Sequence, residues 1–315
     1  MTIQDVANLT DSLTAKLDGV IAGKSVATRK AVTVLLCQGH LLIEDVPGVG
    51  KTTLAKALAR LIGGTFSRIQ FTSDLMPSDV SGASIYNQKE QKFEFLPGPI
   101  FANVMLADEV NRATPKTQSA LLEAMEERTV TVDGVQRGLP DPFLVIATQN
   151  NIEMAGTFPL PEAQMDRFFG RITLGYPDRD AEQRMLEDQQ VNRADEALVP
   201  IATLEELRAA QLLIRQVRVD STVRQYMVDI TRASREHPLV SLGASPRATL
   251  HLQHGAQAIA AGLLRDFVTP DDVKAVAELV LSHRIVPRSE ARLRGQAGTE
   301  IIQSIIQSVP TPVPV

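Results

Sequence analysis

The residue types best suited to chemistry are concentrated in one stretch, His40 to Leu61 (HLLIEDVPGVGKTTLAKALARL). A short apolar run (Leu41, Leu42, Ile43) breaks at Pro47 and Gly48 and passes through Gly50-Lys51-Thr52. It then enters strong helix formers with apolar Leu54, Ala57, Leu58 and Leu61. This is the order strand, phosphate loop, helix. A triphosphate has to sit against backbone N–H groups at a helix N-terminus, where only glycine lets the backbone come close enough. Pro47, Gly48, Val49, Gly50, Lys51, Thr52 and Thr53 are therefore the expected cradle for a triphosphate. Lys51 is expected to reach the β- and γ-phosphates, and the Thr52 hydroxyl to hold Mg²⁺. Asp45 stands where the strict GxxxxGK[ST] pattern has its first glycine, although the anion nest is built mainly from Pro47 to Thr52. The competing reading is a glycine-rich strand-to-helix turn that binds nothing.

Five further residues extend the chemistry. The apolar run Val104 to Ala107 ends in Asp108-Glu109, as a fully buried parallel strand would deliver two carboxylates to its C-terminal edge. Asp108 is expected to position the metal shell, and Glu109 to orient or deprotonate an attacking water. A second run, Leu144 to Ala147, closes on Thr148-Gln149-Asn150, which brings Asn150 to the same edge. Its amide could polarise the water or bind the γ-phosphate; a structural turn asparagine is the alternative. Arg167 follows on a short helix in PLPEAQMDRFF (159 to 169), where a pair with Asp166 or Glu162 competes with any catalytic role. Ser245-Pro246 reads as a helix start and places Arg247 in the first turn, where a cation opposes the helix dipole. A shared anion would explain it, either a nucleotide phosphate or a neighbouring carboxylate.

The elements that must hold these residues follow from periodicity. A helical stripe runs over Ile3, Val6, Leu9, Leu13 and Leu17, and a second helix is expected from Ser25 to Gln38. Thr65 to Phe71 reads as a strand. Residues 73 to 99 fit no simple βα unit and contain a possible hairpin with Phe93 and Phe95 on one face; a surface insertion and a mobile partner-contacting loop are both open readings. Thr114-Pro115 starts a helix to Glu127, and Asp133-Gly134 makes the turn of a tight hairpin. Arg171 to Leu174 supplies a fifth strand. Beyond Tyr176-Pro177-Asp178 the period is helical: Asp180 to Gln190, Leu204 to Val217, Thr222 to Glu236, Pro246 to Leu263, Pro270 to Leu281 and Glu300 to Ile306. Thr203 with Glu206 and Thr269 with Asp272 are start signals.

Composition narrows the classes. A chain of 315 residues with 44% hydrophobic and 22% charged residues is an ordinary globular protein of about two domains. Its N-terminus lacks a signal-peptide pattern and no apolar run is long enough for a membrane helix, so a cytoplasmic protein without membrane insertion is expected. The single cysteine, Cys37, excludes an internal disulfide and reads as a buried core thiol. A net charge of -5 argues against broad nucleic-acid affinity. His251 and His254 read as helix-surface residues, the cluster Arg284, Arg288, Arg292 and Arg294 as a solvated or subunit-facing surface, and VPTPVPV (309 to 315) as an extended tail.

With these residues in view the chain resembles the MoxR family of AAA+ ATPases over nearly its whole length. The matching segments are EDVPGVGKTTLA (44 to 55), FLPGPIFANVMLADEVNRATPKTQSALLEAMEE (95 to 127), ATQNNIEMAGTFPLPEAQMDRF (147 to 168) and GASPRA (243 to 248). The resemblance implies a three-layer αβα P-loop NTPase with a five-stranded parallel sheet in residues 1–177 and an all-α lid in 178–308. In family terms Lys51 and Thr52 belong to Walker A, Asp108 and Glu109 to Walker B, and Asn150 to sensor 1. Arg167 matches an arginine finger acting on a neighbour's ATP, and Arg247 matches sensor 2 acting within its own subunit. Ile21 to Gly23 resembles the segment beside adenine. Residues 73–99 look like the helix-2 insert and 129–143 like the presensor 1 hairpin. The resemblance further implies ring assembly, usually hexameric, and chaperone-like remodelling with a von Willebrand factor A domain partner. Three other classes share parts of this pattern: a nucleic-acid remodeller, a metal-chelatase motor subunit and a nucleotide-gated scaffold without turnover.

Overall fold

The computed structural model describes residues 1–150, 156–183, 198–293 and 298–312. Two helices precede the sheet: α1 (Ile3–Asp18), started by a reciprocal Thr2/Asp5 capping box, and α2 (Ser25–Leu36). β1 (Leu41–Glu44) leads through the glycine loop into α3 (Lys51–Leu61), and β2 (Phe66–Gln70) follows. Residues 73 to 99 form α4 (Pro77–Ser81) and an antiparallel hairpin of β3 (Gly82–Asn87) with β4 (Lys92–Pro97). Next come β5 (Val104–Asp108), α5 (Pro115–Glu127) and a second hairpin, β6 (Thr129–Val132) with β7 (Val135–Gly138). Its turn residues Asp133 and Gly134 both have positive φ, at 52° and 74°, as a two-residue turn matched to the strand twist requires. β8 (Leu144–Gln149), α6 (Glu162–Met165) and β9 (Gly170–Ile172) complete this part.

The five parallel strands lie in the order β2-β5-β8-β1-β9. Alternate residues point to opposite faces. Leu41, Ile43, Val104, Leu106, Leu144 and Ile146 share a core with α1, α2 and α3, while Leu42, Met105, Ala107, Val145 and Ala147 pack on α5. A sheet covered on both faces needs near-continuous apolar strands, which is why these runs were legible as buried. The fifth strand begins one residue earlier than expected, at Gly170, where a Cβ would collide with the Leu279 side chain of the lid, and it ends at Ile172.

The lid contains α7 (Leu204–Ile214), α8 (Ser221–Glu236), β10 (Val240–Leu242), α9 (Pro246–Gly262), α10 (Pro270–Leu281), β11 (Val286–Pro287), α11 (Ser289–Leu293) and α12 (Gly298–Ser308). Capping boxes form at Thr203/Glu206 and Thr269/Asp272 as expected. The lid is helical except for the short antiparallel pair of β10 with β11, which is too brief for periodicity to reveal. Its apolar face is continuous with the α1–α3 side of the sheet core. The expected helix Asp180 to Gln190 and the residue Arg294 extend beyond the described residues. No described helix is long and apolar enough to cross a membrane.

The expectations for Arg284, His251 and His254 are corrected by packing. Arg284 is 6% exposed, not part of a solvated surface. His251 is not on a free helix face: its ring stacks on Phe169 at 4.9 Å and burial pushes it down to about 2. His254 is half-buried, and burial lowers it too. Cys37 is half-buried, its Sγ donating to the His254 carbonyl at 3.4 Å, and burial raises the thiol far out of the reactive range.

Candidate active site

The phosphate loop is held open by glycine. Gly48 and Gly50 have φ of 85° and 95°, and a Cβ on Gly48 would meet open space, so nothing fills the concavity. α3 starts at Lys51 with no side chain capping its first N–H groups, which leaves them available to an anion. Lys51 Nζ donates to the Asp45 carbonyl at 2.9 Å. Burial holds its ammonium below the usual lysine range against the opposing pull of Asp108, Asp45 and Glu109.

Asp45, the departure from the glycine pattern, turns its carboxylate away from the nest. It accepts the N–H groups of Leu174 and Gly175 at 2.6 Å each and its neighbour Val46 N–H at 2.9 Å. A glycine there would leave these donors without that acceptor. Ile21 reaches the same loop: its Cδ1 lies 3.6 Å from where a Gly50 Cβ would stand. Gly23, with φ 75°, faces Asp178 and Ala181, and Val49 is buried.

Pro47, Gly48, Gly50, Lys51, Thr52, Thr53, Asp108, Glu109 and Asn150 line one cavity of about 420 Å³. β1, β5 and β8 deliver them, since all three strands end at this edge. The hydroxyl of Thr148 donates to Asp108 Oδ1 at 2.6 Å and accepts the Glu109 N–H at 2.9 Å, so one buried side chain on β8 orients both acids. Glu109 sits in the left-handed region at φ 55°. Its carboxylate pairs with Arg112 at 3.0 Å, and Asp108 Oδ2 pairs with Arg68 at 2.7 Å. Both arginines are about half exposed, so these pairs are weak and exchangeable. Thr52 and Asp108 share the cavity with the uncapped helix end. Magnesium is commonly bound by one or two protein oxygens together with phosphate oxygens and waters, and this donor set fits that requirement.

Arg167 and Arg247 do not line this cavity. They share one carboxylate: Arg167 Nε lies 3.0 Å from Glu126 Oε2, and Arg247 pairs with Oε1 of the same residue. The shared partner is neither of the acids adjacent to Arg167 in sequence. The Phe169 N–H donates to the His40 carbonyl at 2.8 Å, just before β1. Beyond Glu126, Arg128 donates to the carbonyls of Gln38 and Phe143, just before β1 and β8. The arginine pair therefore sits at the N-terminal edge of the sheet and the nucleotide cavity at the C-terminal edge, about 13–20 Å away at ~3.3 Å per strand residue. Arg247 was expected to act within its own subunit; here it pairs with Glu126, outside the cavity.

Sequence reasoning placed Lys51, Thr52, Asp108, Glu109 and Asn150 in one cavity and missed Arg68, Arg112, Thr148 and Glu126. Only Thr148 left a local signal, as the polar residue closing an apolar run two positions before Asn150.

Comparison with known proteins bears on the family. Residues 40–170 match the ATPase family associated with various cellular activities (AAA), and residues 232–305 match the AAA lid domain. YeaC of Bacillus subtilis (strain 168) is 46% identical over 98% of this chain and 97% of its own. The chaperone MoxR1 of Mycobacterium tuberculosis is 41% identical over 93% of this chain and 80% of its own. The crystal structure of a candidate ATPase from Cytophaga hutchinsonii superposes with a TM-score of 0.92 at 36% identity, covering 99% of this chain and 97% of that one. A nucleotide cradle, two acids at the adjacent strand end, an AAA lid and a near-full-length relative of known family converge on one assignment: the chain belongs to the MoxR family of AAA+ ATPases.

Proposed function

We propose that the chain is a Mg²⁺-dependent ATPase motor of a homo-oligomeric ring, hexameric by family resemblance, that remodels protein complexes in the cytoplasm as a chaperone with a von Willebrand factor A domain partner. Residues 1–177 would form the motor unit and 178–308 the lid. The mycobacterial relative's description as a chaperone supports the remodelling role. The observation that carries the reading is the placement of two arginines on one carboxylate at the sheet edge opposite their own nucleotide cavity. Cations in that position have no phosphate of their own to serve; a second copy's ATP gives them one. Both Arg167 and Arg247 are then across-subunit residues.

At the cavity, Lys51 and the N–H groups of α3 hold the phosphates, and Asn150 and Glu109 orient the attacking water, with Glu109 taking its proton. Thr52 and Asp108 would hold Mg²⁺, which when bound supplies charge neutralisation at the phosphates. The arginines of the next copy stabilise charge that develops on the transferred group.

Glu109→Gln is expected to bind ATP without hydrolysing it. Purified with a tag from its own cells, with and without Mg-ATP, it should retain untagged copies of itself and a von Willebrand factor A protein only with nucleotide. Nucleic acid or a porphyrin-handling partner in their place would keep the motor and reject the chaperone role; no ATP-dependent companion at all would reject both.

A further inference from the structure

The residues flanking the two arginines are tied together by a buried clamp. Arg284, which follows α10 in the lid, has a side chain 1% exposed. Its Nε donates to Asp166 Oδ1 at 2.8 Å, and Nη1 to the carbonyls of Phe169, at 3.0 Å, and Val280. Nη2 approaches the carbonyls of Asp166, at 3.1 Å, and Phe168, and His251 Nδ1 at 2.6 Å. All three guanidinium nitrogens are engaged, and Asp166, Phe168 and Phe169 are the residues on either side of Arg167. Burial lowers Arg284 to about 10, so it stays charged at neutral pH against Asp166.

Asp166 carries the link onward. Its Oδ2 accepts the Ser245 hydroxyl at 2.8 Å. Ser245 stands at the N-cap of α9 but makes no side-chain cap there, contrary to the usual behaviour of a serine at a helix start. Its hydroxyl is spent on Asp166, one residue from Arg167, and Arg247 lies two residues further on. The same carboxylate thus fixes the start of the helix that carries Arg247 and the turn that carries Arg167.

We infer that Asp166 and Arg284 are positioning residues that register Arg167 and Arg247 as one rigid two-arginine unit presented to the nucleotide of a second copy. This rests on the across-subunit reading above. An ion pair that served folding alone needs no particular relation to either arginine; this one binds the backbone on both sides of Arg167 and reaches Arg247 through a single serine. Loosening the clamp should let the arginines move apart and impair the neighbour's site while leaving the cavity of the altered chain intact.

The test uses Arg284→Met and, as a milder change that keeps side-chain volume, Asp166→Asn. Each alone should bind ATP within about twofold of the unaltered protein and lose about tenfold or more in turnover, against the thousandfold or greater contribution typical of a finger arginine. Each is then mixed one-to-one with Glu109→Gln, whose arginines are intact and whose cavity is dead. Turnover well above either parent is expected, because clamp variants supply cavities and Glu109→Gln supplies arginines. Arg167→Ala mixed with Glu109→Gln is the reference. If that reference recovers while the clamp variants keep full turnover alone or fail to recover in the mixture, the clamp inference is overturned. If the reference itself does not recover, the across-subunit reading fails first.

Discussion

Thr148 illustrates how a residue with no motif of its own can decide the chemistry. It is fully buried, and its one hydroxyl satisfies Asp108 and the Glu109 backbone together. Thr148→Val keeps the shape and removes both bonds, leaving an N–H and a carboxylate oxygen short of a partner at a cost of about 1–3 kcal/mol. Turnover should fall about tenfold to a hundredfold with ATP affinity little changed; unchanged turnover would show that the acids are oriented by something else. The contrast with Lys51 and Glu109 is instructive. Those were legible because a phosphate nest and a strand-end acid are built from neighbours in sequence. Thr148, Arg68 and Glu126 were not, because their partners lie 40, 40, and 41 and 121 residues away, and partner choice is made by tertiary packing. Arg167 does make an intramolecular pair, with Glu126 and not with Asp166 or Glu162.

At the scale of elements, three neutral histidines join packed layers. His40 accepts the Val145 N–H on Nδ1 at 2.9 Å, which leaves Nε2 to donate to the Met125 carbonyl at 3.0 Å; the ring bridges β1, β8 and α5. His283 meets the Phe168 carbonyl, and His251 stacks on Phe169, so both join the lid to the β9 approach. Burial drives His40 and His283 well below 6.5 and His251 to about 2. Each binds its proton in the unfolded chain but not in the folded one, so stability is fully present above pH 6.5 and lost as the pH falls below it. The slope approaches about 1.4 kcal/mol per pH unit for each group. Urea midpoints should therefore drop steeply between pH 7 and 5; a midpoint that holds or rises would contradict the neutral, buried assignment. These roles were illegible, because helical spacing on α9 says nothing of what the facing layer brings. The elements themselves were largely legible. Caps marked the starts of α7 and α10, and the glycine loop marked α3. The β10–β11 pair escaped because two or three residues cannot show a period.

For the whole molecule, the governing fact is that one chain holds a nucleotide cavity at one edge of its sheet and a pair of arginines at the other. On the across-subunit reading proposed above, a complete site takes its arginines from a second copy through head-to-tail contacts, open-ended or ring-closing. Glu126 offsets one of the two charges of the arginine pair within a single chain, and Arg68 and Arg112 each pair with one of Asp108 and Glu109. Assembly with ATP would exchange these internal pairs for contacts across the interface. The most direct test mixes Arg167→Ala, which keeps its cavity, with Glu109→Gln, which keeps its arginines, and measures ATP turnover against each alone. Two nearly inactive parents and a clearly active mixture are expected. A mixture no more active than the sum of its parents would contradict the across-subunit reading.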